Sequence, residues 1–441
     1  MIRKLLGFAA TIVVAATFAV ALVSPAAAID VKVVKTPKGI TAWLVTDRTA
    51  PVLHMAFAFR PGALRDPVGK EGLTNLMTTL LDEGAGELDS LAFQRRMEEV
   101  ALTWSMNAGR DTIHASVRTL TRHQDEVFKL VGLALTKPRF DAEPIERARA
   151  QLVSYLKREM TDPNTIAYRT WLKGMYPEHP YGRTVDGTPD SITKITRDDL
   201  LAQHRASFGR DNLIVGVVGN IGPEELAPLL DVAFGGLPEK AAPMEIGEVT
   251  PQATGAVSVQ RMSIPQSVVM FGHGALKRED KDFYAAMVMN HILGGGTFSS
   301  RLYTEVREKR GLAYSVYSYL NPFEKGPLYM GQVSTENGRV KESIDIIRAE
   351  WKRMAAGDVT AEEVESAKTY ITGSYALRFA SASDISRMLV NTQVDGNGPD
   401  YFDKRNSYIQ SVTLDDVKRV AARLLQADKL TFFVVGNPVG L

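Results

Sequence analysis

The chain has 441 residues, of which 45% are hydrophobic and 23% are charged, and its formal net charge is +1. This composition is typical of a globular protein of about two to three domains, and the small net charge does not indicate nucleic acid or an acidic membrane surface as a partner. The absence of cysteine excludes disulfides, thiol catalysis and thiolate metal sites, so a metal site would need His, Asp or Glu.

The first residues are typical of a secretory signal. Arg3 and Lys4 precede an apolar run over residues 5–23, and small residues then end in an A-x-A cleavage pattern at Ala28. We therefore predict that residues 1–28 are a signal peptide and that the mature protein is soluble and periplasmic or otherwise exported. An uncleaved membrane anchor is the alternative, because the run is nearly long enough to span a bilayer.

Residues 29–238 predict a first α+β domain. Three strands come first, and a helix begins near Gly72 with its apolar residues spaced as one stripe of an amphipathic helix, at positions 73, 76, 77, 80 and 81. Two more strands and long helices follow. The predicted segments are strands over 31–34, 40–46, 52–59, 102–108, 112–120 and 212–219, and helices over 91–101, 123–135, 142–160 and 196–208.

The chain repeats itself at a distance of 217 residues. Thr196 and Thr413 each begin a helix, while Gly219 and Gly436 each close a strand in Val-Val-Gly-Asn (413 − 196 and 436 − 219 both give 217). Residues 256–441 therefore predict a second, similar domain, and residues 239–255, with little periodicity, predict the linker. We expect two homologous α+β domains, each a mainly antiparallel sheet with helices packed on one face.

One segment of the second domain, residues 293–316, is dense in unusual residues. Its three successive glycines allow a tight turn or the close approach of another chain; they are Gly294, Gly295 and Gly296. The next residues predict a helix that carries Arg301, Arg307 and Arg310. After this helix, Tyr314 enters a strand that alternates through Val316 and Ser318.

This segment resembles the C-terminal-half signature of the pitrilysin/insulinase (M16) zinc peptidases, especially their bacterial and mitochondrial-processing branch. There the run GGG…SSRL…VREKRGLAYSV recurs almost letter for letter. The two-domain repeat, the Tyr181-Gly182 step and the closing Val-Val-Gly-Asn strands also agree, so the resemblance covers essentially the whole mature chain. It implies the two-domain M16 fold and an assembly that encloses unfolded peptides.

The resemblance implies roles for two residues. In the family, an arginine and a tyrosine seven residues later reach the active site from the second domain, and they match Arg307 and Tyr314. A tyrosine hydroxyl can donate to the oxyanion of peptide hydrolysis, and an arginine can hold substrate carbonyl oxygens. We also expect the three glycines to contact substrate. The spacing alone leaves an alternative, in which Arg307 pairs with Glu305 or Glu308 while Tyr314 fills the core.

The zinc motif of the family, His-x-x-Glu-His, is degenerate in this chain. The matching positions are Asn75, Thr78 and Thr79, and the third ligand, a glutamate in the family, falls on Tyr155. Neutral Asn and Thr oxygens are weak zinc ligands beside imidazole and carboxylate. The chain is therefore expected to hold no metal and no cofactor of its own.

No other pattern in the sequence restores a metal site. Among the seven histidines, no two are spaced by two, three or four residues, so no helix or strand offers a ready pair of ligands. His273 is expected on a strand, in a structural or substrate-contacting role. Asp82 and Glu83 are expected in a solvated turn at the end of the helix.

These features predict the zinc-free subunit of a heterodimeric peptidase. The partner, a homologue with His-x-x-Glu-His, would hold zinc and the general base, and this chain would supply Arg307 and Tyr314. The chain alone is expected to be inactive. Two alternatives stay open: a catalytically inactive M16-fold scaffold, comparable to the respiratory-complex core subunits of this fold, and a homodimer that captures peptides at a sheet edge by main-chain hydrogen bonds.

Overall fold

The structure is a computed structural model that describes residues 29–441. The predicted signal peptide, residues 1–28, lies outside the described residues. Within the described part, none of the helices combines the length and the apolar character that crossing a bilayer requires.

The strands and helices predicted for the first domain are present, with bounds that differ by a few residues, and the structure adds elements that the sequence pattern does not predict, among them the strand Leu328–Glu336 and the helices Pro163–Met175 and Ala382–Val394. The strands are β1 Lys32–Lys35, β2 Thr41–Thr46, β3 Val52–Phe59, β4 Thr103–Ala108, β5 Ile113–Leu120, β6 Leu213–Gly219, β7 Val257–Arg261, β8 Gln266–Gly274, β9 Ala313–Asn321, β10 Leu328–Glu336 and β11 Thr431–Gly436. The α-helices are α1 Leu73–Thr79, α2 Ser90–Glu99, α3 Gln124–Thr136, α4 Ala142–Glu159, α5 Pro163–Met175, α6 Pro189–Thr193, α7 Arg197–Ser207, α8 Pro223–Phe234, α9 Phe283–Asn290, α10 Val340–Ala355, α11 Ala361–Gly373, α12 Ala382–Val394, α13 Tyr401–Gln410 and α14 Leu414–Leu424. Two π-helices, His291–Gly295 and Tyr303–Glu308, follow α9.

The strands form two sheets that share one arrangement of five strands, and the first sheet has β1 as an additional edge strand. The first sheet has the order β1-β2-β6-β3-β5-β4 and the second β7-β11-β8-β10-β9. The last strand of each half, β6 in the first sheet and β11 in the second, is its closing strand. Each closing strand pairs parallel to one neighbour and antiparallel to the other, and all remaining pairs are antiparallel. The predicted fold class, two α+β units with mainly antiparallel sheets, is confirmed.

The helix that precedes each closing strand begins with the same cap. The Thr196 hydroxyl accepts a hydrogen bond from the Asp199 N–H at 3.2 Å, and the Asp199 carboxylate accepts one from the Thr196 N–H at 2.8 Å. Thr413 and Asp416 make the same two bonds, both at 3.1 Å. Each cap satisfies backbone donors that the first helical turn leaves without a partner, so the repeat in sequence is a repeat in local structure.

Each sheet packs its own helices on one face around an apolar core. In the first half, the predicted stripe of α1 is buried, and Leu76, Met77 and Leu81 pack in the same core as Phe57 and Phe128. The second half repeats this packing with a separate core. The apolar residues of each helix recur at the helical period, so they lie on one side of the helix and pack against the sheet.

The other face of each sheet is covered by a helix from the opposite half of the chain. Helix α5, from the first half, packs on β8 and β11, where Trp171 and Met175 lie in a cluster with Met270. Helix α12, from the second half, packs on β3 and β6, where Leu389 lies in a cluster with Trp43. This exchange of helices joins the two halves.

Glycines allow the exchanged helices to approach the sheets closely. A Cβ atom on Gly216 would lie 2.7 Å from the Leu389 Cβ, and one on Gly272 would lie 2.8 Å from the Trp171 Cζ2. Contacts this short are far inside van der Waals separation, so a side chain at either position would displace the helix.

Candidate functional site

The glycine-rich segment forms a π-helical turn, in which the Gly296 N–H donates to the His291 carbonyl oxygen at 2.8 Å. Gly294 is buried here, and a Cβ atom on it would lie 2.3 Å from the Ser318 Oγ and 2.9 Å from the Leu302 Cδ1. A Cβ on Gly295 would lie 2.5 Å from the Asn290 Nδ2, and one on Gly296 2.7 Å from the His291 oxygen. The visible role of these glycines is packing, and substrate contact stays a prediction for them.

The second π-helix, Tyr303–Glu308, carries Arg307. Its hydrogen bonds join residues five apart in the sequence, and one of them runs from the Lys309 N–H to the Thr304 carbonyl oxygen at 3.0 Å. π-Helical turns are rare and frequently lie at functional sites. The preceding Thr297 has a φ of 47°, a left-handed conformation that costs a β-branched residue on the order of 1–3 kcal/mol. The segment is thus held in unusual backbone conformations.

A β-bulge places Tyr314 on the surface. The register between β9 and β10 shifts between Val333 and Thr335, so Tyr314 and Ser315 together lie opposite one residue of β10. Val316 and Ser318 are buried, and strict alternation would bury Tyr314 with them. Instead Tyr314 is 82% exposed, and the alternative in which it fills the core is wrong.

Arg307 and Tyr314 lie against each other. The Arg307 guanidinium carbon is 4.6 Å from the centroid of the Tyr314 ring and 4.9 Å from that of Tyr303, so the arginine lies between two aromatic rings. The alternative of a pair with Glu305 is excluded, because Glu305 binds Lys309 and Arg310, each at 2.6 Å. Within residues 29–441, no carboxylate lies within salt-bridge distance of Arg307.

The stack extends beyond the two residues that the sequence identifies. Phe298 packs edge-on against Tyr303 with ring centroids 5.2 Å apart, and it is 71% exposed. The helix beneath is fixed to α11 by Arg301, whose guanidinium donates two hydrogen bonds of 2.7 Å to the Glu363 carboxylate. The stack runs Phe298, Tyr303, Arg307, Tyr314; its two ends, Phe298 and Tyr314, are exposed, while Tyr303 is buried and Arg307 is half-buried. The sequence could have indicated that Tyr303 contacts Arg307, because residues four apart are neighbours on the same side of a helix.

The degenerate zinc positions do not fit a metal. The hydroxyls of Thr78 and Thr79 both donate to the Asn75 carbonyl oxygen at 2.9 Å, so they satisfy their own helix. Tyr155 lies on α4, 40% exposed. Across residues 29–441, no group of three or more His, Asp and Glu side chains is arranged to hold a metal ion.

Other acidic residues and histidines have structural roles. Glu83 lies 2.5 Å from both Arg147 and Ser90, so it is part of an ion pair and not simply a solvated group as the sequence predicts. His273 is buried, accepts a hydrogen bond from the Trp351 indole at 2.9 Å, and burial lowers its pKa to about 4. The sequence allows His273 either a structural or a substrate-contacting role, and this neutral, buried imidazole has the structural one.

Asp66 holds the start of α1. Its carboxylate accepts hydrogen bonds from the N–H groups of Gly72 and Thr74, both at 2.9 Å, and from the Thr74 hydroxyl at 2.5 Å. Burial nevertheless raises its pKa to about 6, because desolvation outweighs the opposing effect of these hydrogen bonds.

We expect Asp66 to make the stability of the protein dependent on pH. A folded pKa above the unfolded value means that its stabilising contribution is complete below about pH 4 and is lost as the pH rises through about 6. The free energy of unfolding should therefore fall, relative to Asp66→Asn, by about 2 to 3 kcal/mol between pH 4 and pH 7. Urea unfolding of both proteins across this range measures the difference, and a difference that does not change with pH contradicts the assignment.

Comparison with known proteins agrees with this geometry. Residues 194–371 match the family model described as the peptidase M16 inactive domain. The chain is 25% identical to the non-peptidase homolog YmxG of Helicobacter pylori, over 88% of this chain and 89% of that protein. It is 26% identical to the probable mitochondrial-processing peptidase subunit beta of Schizosaccharomyces pombe, over 92% of this chain and 93% of that protein.

A solved structure shows the same fold. The crystal structure of a peptidase M16 inactive domain from Pseudomonas fluorescens superposes with a TM-score of 0.87 at 26% identity, covering 93% of this chain and 98% of that one. The resemblance on which the sequence analysis relied is thereby confirmed. Residues 194–371 thus resemble the peptidase M16 inactive domain, and the chain as a whole is similar in sequence and fold to proteins of the M16 type.

Proposed function

We propose that this chain is the zinc-free subunit of an exported, two-chain M16 peptidase. One observation carries the proposal: the half-buried Arg307 stacks on the exposed Tyr314, and neither side chain forms a hydrogen bond or ion pair among the described residues, in a chain whose zinc positions hold Asn75, Thr78 and Thr79. A purely structural pair would be buried or bonded within its own chain. This pair is accessible to another molecule.

The chemistry of the pair fits the hydrolysis of a peptide bond in a site shared between chains. A partner with His-x-x-Glu-His would supply the metal and the general base. The Tyr314 hydroxyl would donate to the oxygen of the scissile carbonyl as negative charge develops there. The Arg307 guanidinium, held between two rings, would donate to a neighbouring substrate carbonyl with little loss of side-chain entropy.

The name of the S. pombe relative as a subunit supports the proposal of a partner chain, and the signal-like residues 1–28 support export. The rival is an inactive scaffold or peptide-binding protein, which the name of the H. pylori relative favours. Both proposals expect the chain to have no catalytic metal of its own.

Reconstitution separates the two proposals. We expect the purified chain to bind no stoichiometric zinc by elemental analysis and to leave a quenched-fluorescence peptide library uncleaved. Mixed with a His-x-x-Glu-His homologue from the same organism, the chain should form a 1:1 complex and raise peptidase activity well above that of either chain. A complex without gain in activity would favour the scaffold, and tight zinc binding by the isolated chain would overturn the assignment of the inactive site.

A further inference from the structure

A cavity of about 700 Å³ lies where the linker crosses between the two halves of the chain. The first half contributes the residues just after β3 and the turn between β4 and β5, the linker contributes residues 244–247, and the second half contributes the loop between β9 and β10. We call it the linker cavity. Ligand pockets typically measure about 300 to 1,000 Å³ and often lie at such junctions, so the linker cavity has the size and position of a binding site.

Arg60 lines the linker cavity and keeps a donor without an acceptor. Its Nη2 donates to the Val394 carbonyl oxygen at the end of α12, and its Nη1 lies 3.8 Å from the Glu324 carboxylate, which already pairs with Lys325 at 2.8 Å. The Arg60 Nε is buried and has no hydrogen-bond partner within residues 29–441. A buried donor without an acceptor is unfavourable, so the cavity favours a ligand that brings an anionic oxygen to this guanidinium.

Two carboxylates of the linker cavity lack a cationic partner. Asp111 accepts hydrogen bonds from the Tyr181 hydroxyl at 2.6 Å and from the Glu324 N–H at 3.3 Å, but neither Asp111 nor Glu245 forms an ion pair in the described part of the chain. Burial raises the pKa of Asp111, and these hydrogen bonds and the charge of Arg60 offset only part of that rise. The cavity therefore also favours a ligand that brings a positive charge.

Apolar side chains form much of the remaining wall. Pro61, Leu64 and Ile246 line the linker cavity together with Met244, which is 38% exposed on the linker. Methionine is flexible and adapts to ligands of different shape. A matching ligand therefore has an apolar body in addition to its two charges.

We propose that the linker cavity binds a small zwitterion with an apolar body, the chemistry shared by a free apolar amino acid and an apolar dipeptide. The ligand carboxylate binds Arg60, the ammonium binds Asp111 and Glu245, and the apolar side chain lies against Leu64 and Ile246. A dianion would leave the two carboxylates without a cation, and a diamine would leave Arg60 without an acceptor. This binding activity needs neither a metal nor a partner chain.

Isothermal titration calorimetry on the isolated full chain tests the proposal, with L-leucine and L-leucyl-L-leucine as the two probes. We expect saturable binding of at least one probe at one site per chain, with a Kd of about 1 mM or lower. The tighter probe shows whether the amino acid or the dipeptide is the better source of this chemistry. Acetylation of its amino group and amidation of its carboxylate should each weaken binding by about tenfold or more, because each change removes a charge that the cavity matches.

These ligand comparisons leave the protein unchanged, so they do not depend on the folding of a variant. Equal affinity for the blocked and the free ligand would overturn the proposal. So would the absence of saturable binding of both probes up to about 10 mM, which would leave the cavity to water alone.

Protein variants locate the ligand. Glu245 and Glu248 are both exposed on the linker, but Glu248 does not line the linker cavity and pairs with Lys277 at 2.6 Å. Glu245→Gln should weaken binding by about threefold to fivefold, the usual worth of an exposed ion pair, while the matched control Glu248→Gln should not change it. Asp111→Asn keeps an acceptor for the Tyr181 hydroxyl and should weaken binding by about tenfold.

Unchanged affinity in both Glu245→Gln and Asp111→Asn would place the ligand outside the linker cavity and overturn the assignment. The peptidase role of Arg307 and Tyr314 is measured separately, with the partner chain present and on residues that do not line this cavity. Either proposal can therefore fail alone.

Discussion

Replacing Tyr314 by phenylalanine should lower kcat of the reconstituted pair by about two to three orders of magnitude, the usual cost of removing one oxyanion donor. The change removes only the hydroxyl, which is exposed and donates no hydrogen bond within the described chain. Stability, assembly with the partner and stacking on Arg307 should therefore be unchanged. Steady-state kinetics on a defined peptide, with complex formation checked by size-exclusion chromatography, measure the effect.

A matched control lies on the same strand. Tyr317→Phe removes a hydroxyl that bonds to Gln332, and it should leave kcat within about twofold, since Tyr317 is not part of the stack with Arg307. If Tyr314→Phe and Tyr317→Phe give the same turnover, Tyr314 does not act in the chemical step. The inactive-scaffold function is then the better description of the chain.

Replacing Trp171 by alanine should destabilise the protein by about 3 to 5 kcal/mol, the cost of truncating a large buried aromatic residue. Trp171 is buried between α5 and the second sheet, and its indole N–H donates to the Thr431 carbonyl oxygen at 3.3 Å. Because α5 belongs to the first half but packs on β8 and β11, the loss should appear in the second half.

Urea unfolding gives the free energy, and hydrogen exchange locates the change. We expect the amides of β8 and β11 to lose protection in Trp171→Ala. Lys173→Ala, an exposed position on the same helix, should change stability by less than about 0.5 kcal/mol. Protection lost only in the first sheet would contradict the view that the exchanged helices join the two halves.

The surroundings of Arg307 show which features of the site can be predicted from the sequence and which cannot. The motif identified both members of the Arg307–Tyr314 pair, but the spacing alone favoured a local ion pair and a buried tyrosine. Two features decided otherwise: the register shift against β10 exposed Tyr314, and Glu305 forms ion pairs with Lys309 and Arg310, four and five residues further along the chain, and not with Arg307. A π-helix also replaced the expected regular helix, which changes the direction of every side chain on it.

The sequence by itself determined most elements of the first half, the repeat and the loss of the zinc ligands. These follow from local chemistry: the stripe of α1, the Thr-Asp caps at Thr196 and Thr413, and the identity of Asn75 and Thr79. Only the tertiary structure decided which helix covers which sheet, where the bulge falls, and that β9 is an edge. Each of these depends on register between strands distant in the chain, and register is fixed by packing over the whole sheet and not by any single segment.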